Sequence, residues 1–369
     1  MNSVRRHRAM TNERLEAQIV KVSLGMRFHD GPWGGGNLFG KALVEHLQNI
    51  GARVTTDLRQ PDIDVILLAD PLPRSRSASF NDTDIARYLW FRNPRALVIH
   101  RINECDERKG TRRVNRRLIA ANQLADHTVF IASWLKDLFQ AQGLPCRRAS
   151  VILNGADRHI FHSNGPRPWN GQEPLKFVTH HWGTNWRKGF DIYQRLDAML
   201  ALDHWRNRVA FTYVGRLPDG FCFANTRYVE PLSGEALADE LRSHHAYLSA
   251  SQYEPGGMHH IEGAMCGLPL LFRRSGALPE YCTGFGTEFV GNDFEERLEV
   301  FFAAFPSLTA KMSTYPHDSV TMVGGYWELI QDLIRHRDQL LADRDRLQPL
   351  RWIAARLGWP SLPARRSRL

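Results

Sequence analysis

Long apolar stretches are absent from this sequence of 369 residues. A helix needs about 18 predominantly apolar residues in succession to cross a bilayer, and no such stretch occurs. Residues 1–18 form a basic N-terminal tail that lacks the apolar centre of a signal peptide. We therefore expect a protein that neither crosses a membrane nor is exported.

Cysteine is scarce, and no two cysteines stand at the CxxC spacing of many metal and redox sites. An odd number of scattered cysteines fits no closed disulfide framework, which favours reduced thiols in a cytoplasmic protein. The five positions are Cys105, Cys146, Cys222, Cys266 and Cys282.

Patterns of metal ligands are missing as well. His259 and His260 are adjacent and belong to no HExxH motif, so zinc is not expected. Two Asp-x-Asp pairs imitate a metal-binding motif, but the first begins a predicted strand and the second resembles a helix cap. These pairs are Asp62–Asp64 and Asp82–Asp84. We expect no metal and no other cofactor.

Nucleic-acid-binding motifs are also absent, although the net charge is +9. An excess of positive charge favours anionic partners such as a nucleotide diphosphate or a phospholipid surface. Part of the excess lies in residues 351–369, which contain five arginines and no acidic residue. We expect a solvated tail there. The alternative is a peripheral contact of Trp352, Trp359 and these arginines with the inner face of a membrane.

Short apolar runs that alternate with helical patterns make up most of the sequence. Runs such as DVILLA and ALVIH, bounded by turn residues, are typical of strands in βαβ units. The pattern occurs twice, separated by a segment rich in Gly, Pro and Asn at residues 164–174. We predict two Rossmann-like α/β domains, 19–165 and 174–330, and a C-terminal helix with a basic tail, 331–369. The stretch 326–347 is expected to pack across the cleft between the domains, where ligands of such sheets bind.

A glycine-rich turn, residues 31–36, follows the first predicted strand and precedes a helix. Gly34, Gly35 and Gly36 would let the backbone approach a ligand closely. A dinucleotide-dependent oxidoreductase is one interpretation of such a turn. However, the turn is not GxGxxG, and Asp57 is the nearest candidate for the acidic residue expected about 20 positions further on.

The most informative segment is EPGGMHHIEGAMCGLP, residues 254–269. Its Pro-Gly-Gly turn precedes a predicted helix over 258–266, whose amino end would suit a diphosphate. Gly256, Gly257 and Met258 would lie against that ligand, with Glu254 at its sugar end. Glu262 lies about one turn into the helix, where its two oxygens could accept hydrogen bonds from both ribose hydroxyls.

The spacing of Glu254 and Glu262, before a Gly-x-Pro strand, resembles the Glu-x7-Glu motif of the family-4 retaining glycosyltransferases. The resemblance extends over most of residues 20–330. It implies the GT-B fold, with an N-terminal acceptor domain and a C-terminal domain that binds a nucleotide-sugar donor. The implied reaction transfers a sugar to a glycan, lipid or small-molecule acceptor, with retention of configuration and without a metal.

The same resemblance implies roles for further residues. Lys188, in a Lys-Gly segment, matches a lysine that binds the donor phosphates, and His100 matches a histidine near the donor sugar. With Glu254 they form the implied catalytic set, and the glycine loop 34–36 would lie beneath the donor diphosphate. The resemblance also implies donor contacts at Pro231, Leu232, Gly276 and Glu280.

One position departs from the family pattern. The phosphate-binding arginine that usually stands five residues before the lysine is replaced here by Gly183. We expect Arg187 or Arg216 to supply the second positive charge at the diphosphate.

Other functions remain open on the same architecture. A nucleotide-sugar epimerase or a sugar phosphorylase would differ in its products with and without an acceptor. A non-catalytic carbohydrate-binding relative is favoured by the missing arginine and disfavoured by the intact Glu254, Glu262 and Lys188. Acceptor recognition is expected in the loops 74–81 and 103–111.

Overall fold

The computed structural model describes residues 19–31, 33–72, 75–146, 148–165, 169–344 and 348–357. The predicted tail at 1–18 and the last part of the basic C-terminal tail, 358–369, lie outside the described residues. Within the described residues, the chain forms two six-stranded sheets in which neighbouring strands are parallel. The prediction of an α/β protein with two Rossmann-like halves is confirmed.

The first half of the chain builds a sheet with the strand order β2-β1-β3-β4-β5-β6. Its elements are β1 (Lys21–Leu24), α1 (Gly35–Asn49), β2 (Arg53–Thr55), β3 (Val65–Leu68), α2 (Asp82–Phe91), β4 (Leu97–Ile102), α3 (Asp106–Lys109), α4 (Val114–Ala121), β5 (His127–Phe130), α5 (Ser133–Ala141) and β6 (Ala149–Val151). Every residue of β3 and β4 is buried, as expected for parallel strands covered on both faces. The glycine-rich turn connects β1 to α1 at the carboxyl edge of this sheet.

The second half builds a sheet with the order β12-β11-β10-β7-β8-β9. Its elements are β7 (Leu175–His181), α6 (Phe190–Met199), α7 (Asp203–Arg206), β8 (Val209–Gly215), β9 (Arg227–Val229), α8 (Gly234–Arg242), β10 (Ala246–Ser249), α9 (His259–Met265), β11 (Leu270–Arg273), α10 (Leu278–Cys282), β12 (Gly286–Phe289) and α11 (Phe294–Lys311). The strand order changes direction between β7 and β10. Ligands of open α/β sheets bind beyond the carboxyl ends of such a strand pair, and Glu254 follows β10 there.

The end of the chain returns to the first half. Three helices follow, α12 (Ser319–Arg335), α13 (Arg337–Asp343) and α14 (Gln348–Leu357). Helix α12 packs against α1, and its Tyr326 accepts a hydrogen bond of 3.1 Å from the buried Arg101 of β4. Residues 319–330 therefore pack with the first half, whereas the predicted boundary assigned them to the second.

Helix α14 is anchored by Asp82, which is completely buried. The Asp82 carboxylate accepts hydrogen bonds from Trp352 Nε1 at 3.0 Å, Arg356 at 2.7 Å and Arg117 at 3.1 Å. Asn81, rather than Asp82, caps helix α2. Trp352 is thus part of the core and not a candidate for membrane contact. No helix in the described part of the chain combines the length and apolarity needed to cross a membrane.

The other Asp-x-Asp pair also has a structural role. Asp62 forms an ion pair with Lys21 at the edge of the first sheet. Asp64 accepts hydrogen bonds from the Lys21 amide at 2.9 Å and from Arg337 at 2.6 Å. Both acidic pairs are therefore engaged in fixing the N-terminal sheet and the helices that return to it.

Replacing Asp82 should detach α14. In Asp82→Asn the new amide places a donor against Trp352 and two guanidinium groups, and we expect a loss of about 2 kcal/mol or more. This corresponds to a fall of several degrees in melting temperature. Asp338→Asn is the control, because its ion pair with Arg95 is exposed and should be worth less than about 1 kcal/mol. Equal melting temperatures for the two variants would contradict this role of Asp82.

Candidate active site in the cleft between the two halves

Glu254 is held by backbone contacts with the turn that follows β11. Its carbonyl oxygen accepts a hydrogen bond of 2.7 Å from the Ala277 amide, and the Tyr253 amide donates to Ser275 Oγ at 2.8 Å. Gly276 lies so close that a Cβ there would be 2.4 Å from the Glu254 amide nitrogen. Gly276, predicted to contact the donor, thus positions the loop that carries Glu254.

The Glu254 side chain is buried between two cations. Lys188 Nζ lies 3.2 Å and Arg108 Nε 3.6 Å from Glu254 Oε2. Burial alone would raise the pKa of Glu254, but the charges of Lys188 and Arg108 outweigh it and lower the pKa to about 2. Glu254 is therefore an ionised carboxylate at neutral pH.

Lys188 reaches this position from a short 3-10 helix, Trp186–Lys188, whose start is capped by the Asn185 side chain. Gly189 follows with a φ of 104° and packs against Ala250, where a Cβ would lie 2.5 Å from the alanine side chain. Burial lowers the pKa of Lys188 despite the attraction of Glu254. The structure thus brings together two of the three predicted catalytic residues.

Arg108 was not predicted as a site residue, although it lies in the predicted acceptor loop 103–111. It comes from α3 in the first half of the chain and is 6% exposed. The local sequence around Arg108 does not indicate which residue it contacts, because its partner, Glu254, is 146 positions away in the sequence. The buried charge cluster therefore includes residues from both halves.

Arg187 and Arg216 have other partners in this structure, and their expected contact with the diphosphate remains a prediction. The Arg187 guanidinium donates to the carbonyl of Glu107 and lies 5.7 Å from the Tyr253 ring centroid. Arg216 is exposed and stacks 3.9 Å above Trp182. In this structure, Arg108 is the arginine that lies beside the Lys188–Glu254 pair.

Glu262 lies on α9 and is 3% exposed. Its Oε2 is 2.6 Å from His180 Nε2, at the carboxyl end of β7. Its Oε1 has no hydrogen-bond partner among the described residues. The prediction of Glu262 as a ribose acceptor did not include His180, which orients the carboxylate from the neighbouring strand.

Histidines surround these two glutamates. His259 Nε2 lies 3.0 Å from Ser249 Oγ, and His181 Nε2 lies 2.7 Å from Tyr193 Oη. His260 is fully buried, and neither ring nitrogen has a hydrogen-bond partner among the described residues. Burial lowers the pKa of His260 to about 3, so its ring is neutral at physiological pH.

The glycine loop of the first half contacts the Glu254 loop directly. A Cβ at Gly35 would lie 2.3 Å from Met258 Cγ, whereas one at Gly34 would meet nothing within 4 Å. A Cβ at Gly36 would be 4.0 Å from the Asn103 side chain. Of these three glycines, Gly35 is therefore the one needed for close approach of the two halves.

The Pro-Gly-Gly turn is also packed into the interface. The Gly256 carbonyl accepts a hydrogen bond of 2.6 Å from Asn154, and a Cβ on this residue would touch Ile131. A Cβ on Gly257 would lie 2.9 Å from Glu254 Oε1. Gly257 thus leaves room for the Glu254 side chain to fold back against its own loop, and Gly256 leaves room for Ile131.

Three other predicted residues lie outside the charge cluster. The Glu280 carboxylate accepts hydrogen bonds from the Ser133 amide at 2.7 Å and the Ser133 hydroxyl at 2.8 Å, so it links α10 to α5. Pro231 and Leu232 follow β9, and Leu232 packs against the core. Their predicted donor contacts remain predictions.

His100 is not brought into the cluster. It is completely buried in β4, and its Nδ1 lies 2.8 Å from Asn122 Oδ1. Burial lowers its pKa to about 4. Its buried Nε2 has no hydrogen-bond partner among the described residues, and its predicted place near the donor sugar remains a prediction.

Comparison with known proteins identifies the architecture. No family model and no curated protein matches the chain. Among solved structures, HepE of Anabaena with UDP-glucose matches 86% of this chain and 100% of its own, with 13% identity and a TM-score of 0.61. A glycosyltransferase of Rickettsia africae ESF-5 matches 86% and 98%, with 12% identity and a TM-score of 0.61. WaaG, a glycosyltransferase of lipopolysaccharide biosynthesis, matches 84% and 99%, with 14% identity and a TM-score of 0.57.

The fold is GT-B. The Glu254 cluster lies where the two halves meet, since Arg108 comes from the first half and Lys188 and Glu254 from the second. The predicted GT-B architecture is confirmed.

Substitution at Gly35 should separate the two sides of the GT-B cleft. Gly35→Ala places a methyl group on Met258, so we expect a lower melting temperature and a larger radius of gyration by small-angle X-ray scattering. Gly34→Ala is the matched control and should leave both quantities unchanged. The same scattering profile for both variants would refute the proposed close contact.

The charge cluster should make the free energy of unfolding depend on pH in the acidic range. A pKa lowered from 4.5 to about 2 stabilises the fold above pH 4.5, and this contribution is lost as the pH falls towards 2. The shift corresponds to at most about 3 kcal/mol, and the lowered pKa of Lys188 offsets part of it. In Glu254→Gln, denaturant unfolding should show a weaker loss of stability between pH 4.5 and 3 than in wild type. The exposed Glu296→Gln should retain the wild-type dependence, and a parallel decline in all three proteins would exclude this account.

Proposed function

We propose that this protein is a retaining, metal-independent glycosyltransferase that uses a nucleotide-diphosphate sugar. The observation that carries the proposal is the buried cluster of Glu254, Lys188 and Arg108 at the switch point of the donor-type sheet. Two cations and a carboxylate, enclosed together, suit a leaving diphosphate and a reacting sugar. The HepE structure with UDP-glucose suggests a uridine nucleotide as the first donor to test.

The donor would enter beside both glutamates. The ribose hydroxyls would bind Glu262 Oε1, since Oε2 is already oriented by His180. The diphosphate would be bound by Lys188 and Arg108, whose charges are now neutralised by Glu254. Arg108 thereby takes the part of the arginine that Gly183 replaces.

The reaction would break the bond between the anomeric carbon and the diphosphate oxygen, and form a bond from that carbon to an acceptor hydroxyl. Positive charge develops on the sugar while negative charge develops on the leaving diphosphate. The ionised Glu254 would stabilise the sugar, and Lys188 and Arg108 would stabilise the leaving group. The acceptor proton would pass to the leaving diphosphate on the same face, which retains the anomeric configuration.

The closed cleft supports this assignment of roles. Arg108 belongs to the acceptor half and Lys188 to the donor half, so both charges meet only when the halves are together. Closure would therefore complete the site and exclude water in one step. An epimerase or phosphorylase would use the same cluster, and product analysis with and without an acceptor distinguishes these reactions.

Arg108 should be required for donor turnover. In Arg108→Gln, UDP binding measured by calorimetry should weaken about tenfold or more, and UDP release from UDP-glucose should fall about a hundredfold. Lys109→Gln, on the adjacent and more exposed position of α3, should behave like wild type. Normal UDP binding and release in Arg108→Gln would show that this arginine does not bind the diphosphate.

The two glutamates should have separable effects. Glu262→Gln should weaken UDP binding about tenfold, because one oxygen of the ribose acceptor becomes an amide donor. Glu254→Gln should leave UDP binding unchanged or tighter, since it removes the anion that neutralises Lys188 and Arg108, while turnover of UDP-glucose falls about a hundredfold. Equal losses of binding and turnover in both variants would contradict these roles.

A further inference from the structure

A second concentration of positive charge lies in the first half of the chain. A cavity of about 530 Å³ opens between α4, α14 and the loop that follows β3. Arginines and small apolar side chains form most of its lining. The arginines are Arg112, Arg113, Arg116, Arg117 and Arg356, and the apolar residues are Leu72, Val114, Ala120 and Ala355.

Three of these five arginines have a charge that no acidic side chain among the described residues neutralises. Arg117 and Arg356 are neutralised in part by the buried carboxylate of Asp82. The side chains of Arg112, Arg113 and Arg116 are exposed and form no ion pair with any described residue. Arginines that line a cavity and have no acidic partner of their own are suited to bidentate binding of phosphate.

The backbone around these arginines is held in place. The Asp106 carboxylate accepts hydrogen bonds of 2.9 Å from the amides of Arg113, Val114 and Asn115. Asp106 also accepts from the Thr111 hydroxyl at 2.5 Å. The turn from α3 to α4 is therefore ordered by its own side chains, and the arginines project from a fixed backbone.

The cavity is close to the cleft along the chain. Arg108 contacts Glu254, and Arg112 stands four residues later on the cavity rim. Four residues span at most about 14 Å even when fully extended. The Cα atoms of Arg108 and Arg112 are therefore no further apart than this, so the same chain segment contributes to both the cleft and the cavity.

We propose that this cavity binds the phosphate group of an amphiphilic acceptor, with its apolar part on Leu72, Val114, Ala120 and Ala355. The arginines would bind the phosphate group, and the apolar lining would bind the apolar part of the ligand. This lining favours a phosphorylated lipid or glycolipid over free phosphate. The proposal rests on the proposed function and narrows its acceptor class. Phosphate on a soluble molecule and phosphate on a lipid share this chemistry, and the experiment separates them.

Binding is measured by calorimetry on the full chain with farnesyl diphosphate and with inorganic pyrophosphate, each in the presence of saturating UDP. The added UDP occupies the proposed donor site, so that binding of either probe to that site does not contribute to the measured heat. We expect farnesyl diphosphate to bind at least about tenfold more tightly than pyrophosphate, because only farnesyl diphosphate buries apolar surface. Equal affinities for the two probes would show that the ligand need not be amphiphilic. If neither probe binds, the cavity is not a phosphate site.

The matched variants separate the cavity from general charge attraction. Arg112→Glu, Arg113→Glu and Arg116→Glu, combined in one protein, should weaken farnesyl diphosphate binding at least about tenfold. The control combines Arg53→Glu, Arg87→Glu and Arg92→Glu, which are exposed and change the net charge equally. The control should bind as wild type does, and equal weakening of both variants would overturn the site.

Two further measurements complete the test. The affinity for UDP, measured without the probes, should be the same in wild type and in both triple variants. If wild type does not bind UDP, the proposed donor site is wrong. The farnesyl diphosphate result then still decides whether the cavity proposal holds. Sedimentation with phosphatidylglycerol and phosphatidylcholine vesicles tests a membrane surface. If the triple variant loses phosphatidylglycerol binding but keeps farnesyl diphosphate affinity, the arginines bind a membrane surface and the cavity proposal is wrong.

Discussion

The ion cluster around Glu254 is the interaction on which the arrangement of the cleft depends. A buried carboxylate is costly unless opposite charge and hydrogen-bond donors surround it. Here one cation, Lys188, comes from the same half of the chain, and the other, Arg108, comes from the opposite half. Neutralisation of Glu254 therefore links the position of its own loop to the contact between the halves. A donor diphosphate would compete with this carboxylate for the same two charges.

Close backbone approach makes this cluster possible. Gly257 leaves room for the Glu254 carboxylate, Gly276 leaves room for its backbone, and Gly35 leaves room for Met258 across the cleft. A single methyl group at any of these positions would force the neighbouring atoms to move. The glycines thus act through the space that they leave for the charged groups, and contact with a ligand is not required to explain them.

Positive charge is divided between two places in the proposed enzyme. Lys188 and Arg108 lie in the cleft, where they would stabilise a leaving diphosphate. The arginines of the cavity lie on the acceptor half, where an anionic acceptor would be held beside the donor. One chain segment, residues 106–117, connects both groups. A net charge of +9 is therefore consistent with a protein whose two proposed substrates both carry phosphate.

The sequence alone determined the two α/β halves, the glycine turn and the Glu254–Glu262 spacing, because hydrophobic period and turn chemistry act over a few residues. Only the tertiary structure decided which charges meet. It brought Arg108 to Glu254 and paired His100 with Asn122, since the partners of these residues depend on sheet order and on the packing of the halves. It likewise buried Trp352, which local composition had suggested for a membrane surface. Contacts between residues distant in the chain leave no local pattern from which they could be predicted.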